Sequence, residues 1–267
     1  MHQYLFFIGD FPIRAYGLIL CLSIFLGSGV AYFLAKQDGR WHEHIFDMGL
    51  YCGLAGIIGA RLWDVFFFDW EYYQDHLLEI PFVWQGGMAI QGGVFLGAVV
   101  GIWYTKKHKI DTWALADIIA PAIILGQAIG RSANLLNGDA FGAPTGSDFG
   151  ILYPEGTLAR KVYGDAPLWP AEIWECQLDI VIFALLLIFR TTRHAKGQVF
   201  ALYACLYSLA RFFLEYLRGD YTEIVFAGLK SAQITSLTFA LVSLVIFIIV
   251  GWKEKQSLAV KKSKVKK

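Results

Sequence analysis

Apolar residues fill long segments of this chain, and short polar segments separate them. An α-helix needs about 20 such residues to cross a hydrocarbon core roughly 30 Å thick. The pattern therefore predicts seven transmembrane helices, at about 16–35, 45–67, 87–104, 113–136, 172–190, 198–217 and 233–252. The fourth is the least regular, because Asp117, Pro121 and Arg131 interrupt it.

The composition also indicates a membrane protein. Of the 267 residues, 57% are hydrophobic and 17% are charged, and the mean hydropathy is +0.50. A water-soluble domain of this length is normally less apolar. We therefore predict an all-α integral membrane protein. Its single transmembrane domain covers residues 1–252, with a small external segment at about 137–171 between the fourth and fifth helices, and a basic cytoplasmic tail follows at 253–267.

The basic residues predict the orientation, because loops rich in Lys and Arg stay on the cytoplasmic side. One set of loops holds Lys36, Arg40, Lys106, Lys107, Lys109, Arg190, Arg193 and Lys196. With the tail, these make 15 of the 23 basic residues, whereas the opposite face has an acidic segment at 68–79. The N-terminus is therefore predicted outside and the C-terminus inside. Nothing before residue 16 has the pattern of a cleavable signal, so the first helix should stay in the mature protein.

The cysteines and the basic tail suggest no further chemistry. All four cysteines fall inside apolar segments, with no CxxC motif and no histidine at metal-ligand spacing: Cys21, Cys52, Cys176 and Cys205. We interpret them as buried thiols and predict no metal and no cofactor. The tail is interpreted as a topology signal that also touches anionic membrane lipid, and no nucleic-acid partner is predicted.

Ionisable residues within the predicted helices are candidate site residues, because a charge at this depth is costly unless it is paired or faces water. The predicted orientation brings them near the outer ends of their helices: Arg61, Arg131, Glu175, Arg211, Glu215 and Arg218. A buried ion-pair network and a binding site both fit this pattern. Since guanidinium groups bind phosphate with two parallel hydrogen bonds, a site of this kind would suit a phospholipid headgroup.

The stretch GQAIGRSANLLNGDAFG at 126–142 resembles the signature of bacterial prolipoprotein diacylglyceryl transferases. In that signature, Gly-Arg is followed at fixed spacing by two asparagines, an acidic residue and Gly. Other segments resemble the same family in the same order: IRAYGL at 13–18, GARLWDVFF at 59–67, WQGGMAIQGG at 84–93, ADIIAP at 116–121, PLWPAEIWE at 167–175, YSLARFFLEYLR at 207–218 and AQITSL at 232–237.

The resemblance implies transfer of a diacylglyceryl group from phosphatidylglycerol to the lipobox cysteine thiol of a preprolipoprotein. The products would be a thioether and glycerol phosphate. The protein would be located in a bacterial cytoplasmic (inner) membrane. Arg131, Arg211 and Asp139 would act in catalysis, together with the position of Gln91. The residues predicted to bind substrate are Tyr16, Arg61, Asn134, Asn137, Gly142, Glu175, Tyr207 and Glu215. Gly142 would let the chain turn out of the membrane.

Gln91 departs from the family pattern, which has a catalytic histidine at this position. An amide cannot take a proton at neutral pH. The six histidines all lie outside the predicted spans, and only His2 and His76 fall on the outer side. Thiol activation would then come from Arg131 and Arg211, which lower the thiol pKa, with Asp139 or the lipid phosphate accepting the proton.

Two further positions depart from the family pattern. Asp139 stands where the family usually has glutamate. Trp169–Pro170 stands where the family often has His-Pro, and we interpret this second departure as a change in loop packing. Two alternative functions stay open: a catalytically impaired phospholipid-binding paralogue, which Gln91 allows, and a transporter for an anionic solute. A transporter should have a polar path that reaches the cytoplasmic face, whereas the predicted charges stop near one side.

Overall fold

The helices of the computed structural model follow the apolar segments of the sequence. The structure describes residues 4–9, 11–192, 194–220 and 224–265; His2 and Arg193, used above, lie outside them. The helices are α1 (Ala15–Gln37), α2 (Ile45–Phe67), α3 (Trp70–Tyr73), α4 (Ile90–Lys107), α5 (Thr112–Asn137), α6 (Leu158–Tyr163), α7 (Ala171–Arg190), α8 (Gln198–Leu214) and α9 (Ser231–Val265). Each predicted apolar segment is mostly helical, although α4 begins at Ile90 rather than at residue 87 and α8 ends at Leu214 rather than at residue 217. The last helix continues through most of the basic tail.

Length and hydropathy qualify four helical stretches of the described residues as candidate membrane spans: Ala15–Gln37, His42–Phe67, Thr112–Asn137 and Ser231–Ser257. The remaining long helices are shorter or more charged. Helix α8 has 17 residues, and α7 carries Glu172, Glu175 and Asp179 on its buried face. The fold is therefore that of a mostly helical, multi-pass membrane protein.

Two short antiparallel hairpins were not predicted. Strand β1 (Tyr4–Ile8) pairs with β2 (Phe11–Arg14), and β3 (Ile224–Phe226) pairs with β4 (Leu229–Lys230). Each hairpin directly precedes a long helix, α1 or α9. Strands of two to five residues have too little alternation of polar and apolar positions to stand out beside such helices.

The chain forms two compact units, one made of residues 1–27 and 116–267 and the other of residues 28–115. In the second unit, α2 packs on α4 through small residues. A Cβ on Gly59 would overlap the carbonyl oxygen of Gly92, and one on Gly93 would lie 3.1 Å from the carbonyl oxygen of Gly56. The glycines therefore let the two backbones touch, as close-packed membrane helices require.

In the first unit, Asp117 joins α5 to α8. Its Oδ2 accepts the Gly197 N–H at 2.7 Å and its Oδ1 the Phe200 N–H at 2.9 Å. Asp117 therefore caps the first turn of α8, where backbone N–H groups have no partner within the helix. This explains an acidic residue in an apolar segment, and α5 continues as one helix through Pro121.

The segment between α5 and α7, which was predicted to be external, has a small core of its own, formed by Phe141, Tyr153, Ala159 and Leu168. Residues 144 and 151 each form an isolated bridge with Leu168, and the short helix α6 packs beside them. Thr157 caps α6 by accepting the Arg160 N–H at 3.3 Å. The segment is thus an ordered structure at the end of α5, next to the signature stretch.

Candidate functional site

The centre of the candidate site is Glu175, a buried carboxylate one turn into α7. Its Oε1 lies 2.6 Å from Nη2 of Arg131 on α5, and its Oε2 lies 3.5 Å from Nη1 of Arg211 on α8. Arg218, just beyond α8, lies 3.8 Å from the same Oε2. One carboxylate therefore lies close to three arginines, one from α5 and two from the end of α8 and the residues just beyond it.

A second buried carboxylate, Glu215, extends the cluster. Its Oε2 lies 2.8 Å from Nη2 of Arg211, and its Oε1 lies 3.7 Å from Nζ of Lys230. Arg218 also pairs with Asp220 through Nε, at 2.9 Å from Oδ1. The arginines thus have fixed positions, because each is held by at least one acidic partner.

The cluster keeps unused hydrogen-bonding capacity. Arg211 Nη1 is buried and lacks a hydrogen-bond partner among the described residues, although Glu175 is near, because the geometry is not that of a hydrogen bond. The Arg131 and Arg211 side chains keep 19% and 18% exposure, against 2% for Glu175. A ligand with acceptor oxygens can therefore contact the exposed parts of arginine side chains whose hydrogen-bonding capacity the protein does not fully use.

The signature stretch places an acidic group beside Arg131. The Asn134 Nδ2 donates to Asp139 Oδ1 at 2.6 Å, and the Asn137 Nδ2 donates to Asp139 Oδ2 at 2.7 Å. Arg131 Nη1 in turn donates to Asn134 Oδ1 at 3.4 Å. The two asparagines therefore fix the carboxylate of Asp139, and each of its oxygens keeps a second lone pair for another donor.

Two tyrosines predicted as site residues belong to the same surroundings. Tyr16, at the start of α1, interacts electrostatically with Asp139 and Arg131. Tyr207 on α8 does so with Glu175, Arg131 and Arg211. The structure thus brings together, within one unit, most of the residues predicted to act in the site: Tyr16, Arg131, Asn134, Asn137, Asp139, Glu175, Tyr207, Arg211 and Glu215.

Gly142 is required for close packing rather than for a turn. Its φ is not positive, and a Cβ there would overlap the backbone carbonyl of Trp169. It also forms an isolated bridge with Arg218. The absence of a side chain therefore lets the end of the signature stretch lie directly against the chain on both sides.

Arg61 and Gln91 lie in the other unit, 28–115. Arg61 is buried, and its donors go to four backbone carbonyls: Ile80 at 2.8 Å, Gly86 at 2.7 Å, Gly87 at 3.1 Å and Glu79 at 2.9 Å. Its guanidinium also lies over the ring of Tyr73, at 4.8 Å from the centroid. These contacts make Arg61 a positioning residue for segment 79–87, because few of its donors are free for phosphate.

Gln91 is exposed in the first turn of α4, close after the segment that Arg61 holds. His76, predicted to lie on the outer side, stacks on Tyr72 with ring centroids 4.2 Å apart. Its Nδ1 lies 2.9 Å from the carbonyl oxygen of Tyr72. Gln91, which the resemblance aligns with a catalytic histidine, is therefore an accessible amide.

Several polar contacts were missed by the sequence analysis. Lys230 belongs to the cluster through a hairpin that was not predicted, and Asp179 lies fully buried one turn after Glu175 with neither oxygen hydrogen-bonded among the described residues. Tyr153 donates to Glu172, and both are buried. Burial, together with adjacent Glu172, raises the pKa of Tyr153. In the sequence, the spacing of four residues between Glu175 and Asp179 places both on one face of a helix.

Comparisons with known proteins all find similarity to the same family of enzymes. A sequence model of the prolipoprotein diacylglyceryl transferases matches residues 3–249. A relative from Geobacillus kaustophilus is 36% identical over 251 residues, 92% of each chain. One from Thermosynechococcus vestitus is 36% identical over 86% of this chain and 85% of its own, and one from Staphylococcus haemolyticus is 35% identical over 95% and 89%. All three are named phosphatidylglycerol–prolipoprotein diacylglyceryl transferase.

Proposed function

This chain belongs to the prolipoprotein diacylglyceryl transferase family, and we propose that Arg131 and Arg211, held by Glu175, bind the phosphate of its lipid substrate. The chain is an enzyme that transfers the diacylglyceryl group from phosphatidylglycerol to a prolipoprotein, the first step of lipoprotein lipidation. The site proposal rests on the buried cluster, in which Nη1 of Arg211 has no hydrogen-bond partner among the described residues.

The chemistry requires charge stabilisation at the phosphate. The cysteine sulfur forms a bond to a glycerol carbon of the lipid, and the bond from that carbon to the phosphate oxygen breaks. Negative charge therefore grows on the departing glycerol phosphate, and positioned guanidinium groups stabilise it most where water is excluded. Arg131 and Arg211 are the groups that we assign to this role, because both are largely buried and face the same carboxylate.

The reaction also releases a proton from the lipobox thiol, whose unperturbed pKa is about 8.5. We assign Asp139 as its acceptor. Asn134 and Asn137 fix its carboxylate while leaving lone pairs free, and Asp139 is only half-buried. The two arginines would favour the thiolate electrostatically, and Gln91 would orient a substrate group by hydrogen bonding rather than take the proton. Tyr16 and Tyr207 would line the lipid-binding region.

The membrane placement extends the same proposal. Seven helices would span the inner membrane of a bacterium, with the N-terminus outside and the tail in the cytoplasm. The distribution of Lys and Arg supports this orientation. The cluster would then lie near the outer surface, at the depth of lipid phosphates, where the lipobox of an exported preprolipoprotein arrives.

The test is an assay of full-length protein in vesicles with a synthetic lipobox peptide. We expect thioether product, detected by mass spectrometry, with phosphatidylglycerol as donor but not with phosphatidylcholine. A peptide with serine in place of the lipobox cysteine should give none. Retained binding of phosphatidylglycerol without any thioether would overturn the catalytic assignment and leave a lipid-binding protein.

A further inference from the structure

The β3–β4 hairpin exposes apolar side chains on both of its faces. Successive residues of a strand point to opposite faces, so a hairpin packed on protein buries one set. Here all three residues of β3 are largely exposed, at 68% for Ile224, 63% for Val225 and 72% for Phe226. Exposed apolar surface of this kind marks a site of contact with a protein or a membrane.

The hairpin is short and tightly turned, which fixes where these residues can lie. Ile224 is the register partner of Lys230, and Phe226 that of Leu229. The turn residues Ala227 and Gly228 have φ of 50° and 76°, and a turn with two positive φ values matches the twist of a hairpin. The exposed strand therefore folds back beside the residue that immediately precedes α9.

Helix α9 is one of the candidate membrane spans, and it begins at Ser231. The tip of the hairpin is three residues away, about 10 Å at 3.3 Å per residue. The polar interface of a bilayer is about 5–8 Å thick on each side. A hairpin of this length therefore stays near the membrane surface, and apolar residues in that zone partition into lipid.

We propose that the β3–β4 hairpin inserts Ile224, Val225 and Phe226 into the lipid leaflet that faces the arginine cluster. Lipid is favoured over a peptide or a second copy of the chain, because the hairpin is continuous with a membrane helix and exposes apolar groups on both faces. A bound strand or helix would cover only one face.

Lys230 connects this anchor to the site. Its Nζ donates to the carbonyl oxygens of Glu215 at 2.9 Å and Arg218 at 2.8 Å, at the end of α8. It also lies 3.7 Å from Glu215 Oε1, the carboxylate that holds Arg211. The inserted hairpin therefore sets the height of Arg211 relative to the lipid phosphates. This last step rests on the proposed function, whereas the insertion itself does not.

The insertion is tested by a spin label at Val225 in full-length protein whose native cysteines are replaced, reconstituted in vesicles of phosphatidylglycerol and phosphatidylcholine. We expect the label to be more accessible to oxygen than to a water-soluble nickel chelate. A label at exposed Phe239 on α9 provides the lipid reference, and one at Glu155 the water reference. Accessibility equal to that at Glu155 would overturn the proposal. The proposal would also be overturned if the accessibility of the label to the nickel chelate fell only after lipobox peptide was added or after the protein density in the vesicles was raised.

A substitution pair tests the consequence for activity. Val225→Asp should raise the phosphatidylglycerol concentration for half-maximal rate several-fold in vesicles while kcat changes little, because the anchor rather than the chemistry is weakened. Val162→Asp is the matched control, since Val162 is similarly exposed in the external segment. Equal effects of the two variants would overturn the link to substrate binding. If wild type itself forms no thioether, the failure lies in the proposed function, and the spin-label result still decides insertion.

Discussion

The Arg131 and Glu175 side chains meet at 2.6 Å between Nη2 and Oε1, and they join the end of α5 to the start of α7. The external segment lies between these two residues in the chain. The same ion pair therefore closes the external segment at its base and orients a guanidinium for phosphate. Substitutions in the cluster are expected to affect both activity and stability, and the experiments must separate them.

Arg131→Lys keeps the charge but should lower the transfer rate about 100-fold, the usual cost of losing one donor aimed at developing charge. Arg131 reaches Glu175 with one nitrogen and Asn134 with the other, which a single ammonium cannot reproduce. The measurement is the initial rate of thioether formation. Arg160→Lys, in the ion pair with Asp165 of the external segment, is the control and should stay near wild type. Near-wild-type activity for Arg131→Lys would reduce Arg131 to a counterion of Glu175.

Asp139→Asn should slow the reaction most at low pH. If this carboxylate accepts the thiol proton, its loss matters less as pH rises toward the thiol pKa of about 8.5, where thiolate forms unaided. The rate should be followed from about pH 6 to pH 9 in matched vesicles. A defect of constant size across this range would remove Asp139 as the proton acceptor and leave it an orienting residue.

Gln91→His should be tolerated, because imidazole can also donate and accept hydrogen bonds. Gln91→Leu should reduce turnover if the amide contacts substrate. Since Gln91 is exposed at the start of α4, neither change should alter the unfolding temperature. Full activity of Gln91→Leu would show that this position takes no part in the chemistry.

Tyr153→Phe should lower the free energy of unfolding by about 1–3 kcal/mol, because it leaves the buried carboxylate of Glu172 without its donor. Tyr216→Phe, at an exposed tyrosine, should have almost no effect. Burial raises the pKa of Tyr153 above its unfolded value, so its contribution is complete below about pH 10 and declines above it. Denaturant titrations at pH 8 and pH 10.5 measure both effects.

The orientation is tested with single cysteines in intact cells. Cysteines at Leu78 and Ser147 should react with an impermeant thiol reagent added outside, whereas one at Lys109 should react only after permeabilisation. Leu78 is chosen because it is 87% exposed, whereas nearby Tyr73 is buried under Arg61. The reverse labelling would contradict the predicted topology and place the arginine cluster on the cytoplasmic side.

The sequence predicts the helices well because their signal is local. The bounds of α2 agree with the predicted 45–67, since polar residues precede the apolar run at 42–44 and Asp69 follows it closely. Helix α8 ends at Leu214 rather than at residue 217, because the chain beyond it turns to bring Arg218 against Glu175. That turn depends on a distant helix and has no local pattern.

The charged residues were identified from the sequence, and the spacing of four residues also predicts the pair of Arg211 with Glu215, but most of the other partners were not predicted. Arg131, Arg211 and Glu175 were singled out by their depth in apolar segments, and the structure joins them. Arg61 had the same signal, yet its partners are backbone carbonyls, which have no sequence signature. Lys230 was missed because its contact with Glu215 requires the β3–β4 hairpin, a structure too short to be predicted.

The contacts of Arg61 affect how the chain enters the membrane. A guanidinium in α2 is costly in lipid until the carbonyls of Glu79, Ile80, Gly86 and Gly87 surround it, and the last of these lies 26 residues further along the chain. During synthesis, α2 should therefore dwell beside the insertion machinery until Gly87 has emerged. Nascent chains truncated before Gly87 should release α2 into the bilayer less completely than chains that extend a few residues beyond Gly87. The timing of insertion would then depend on the segment between α2 and α4 rather than on α2 itself.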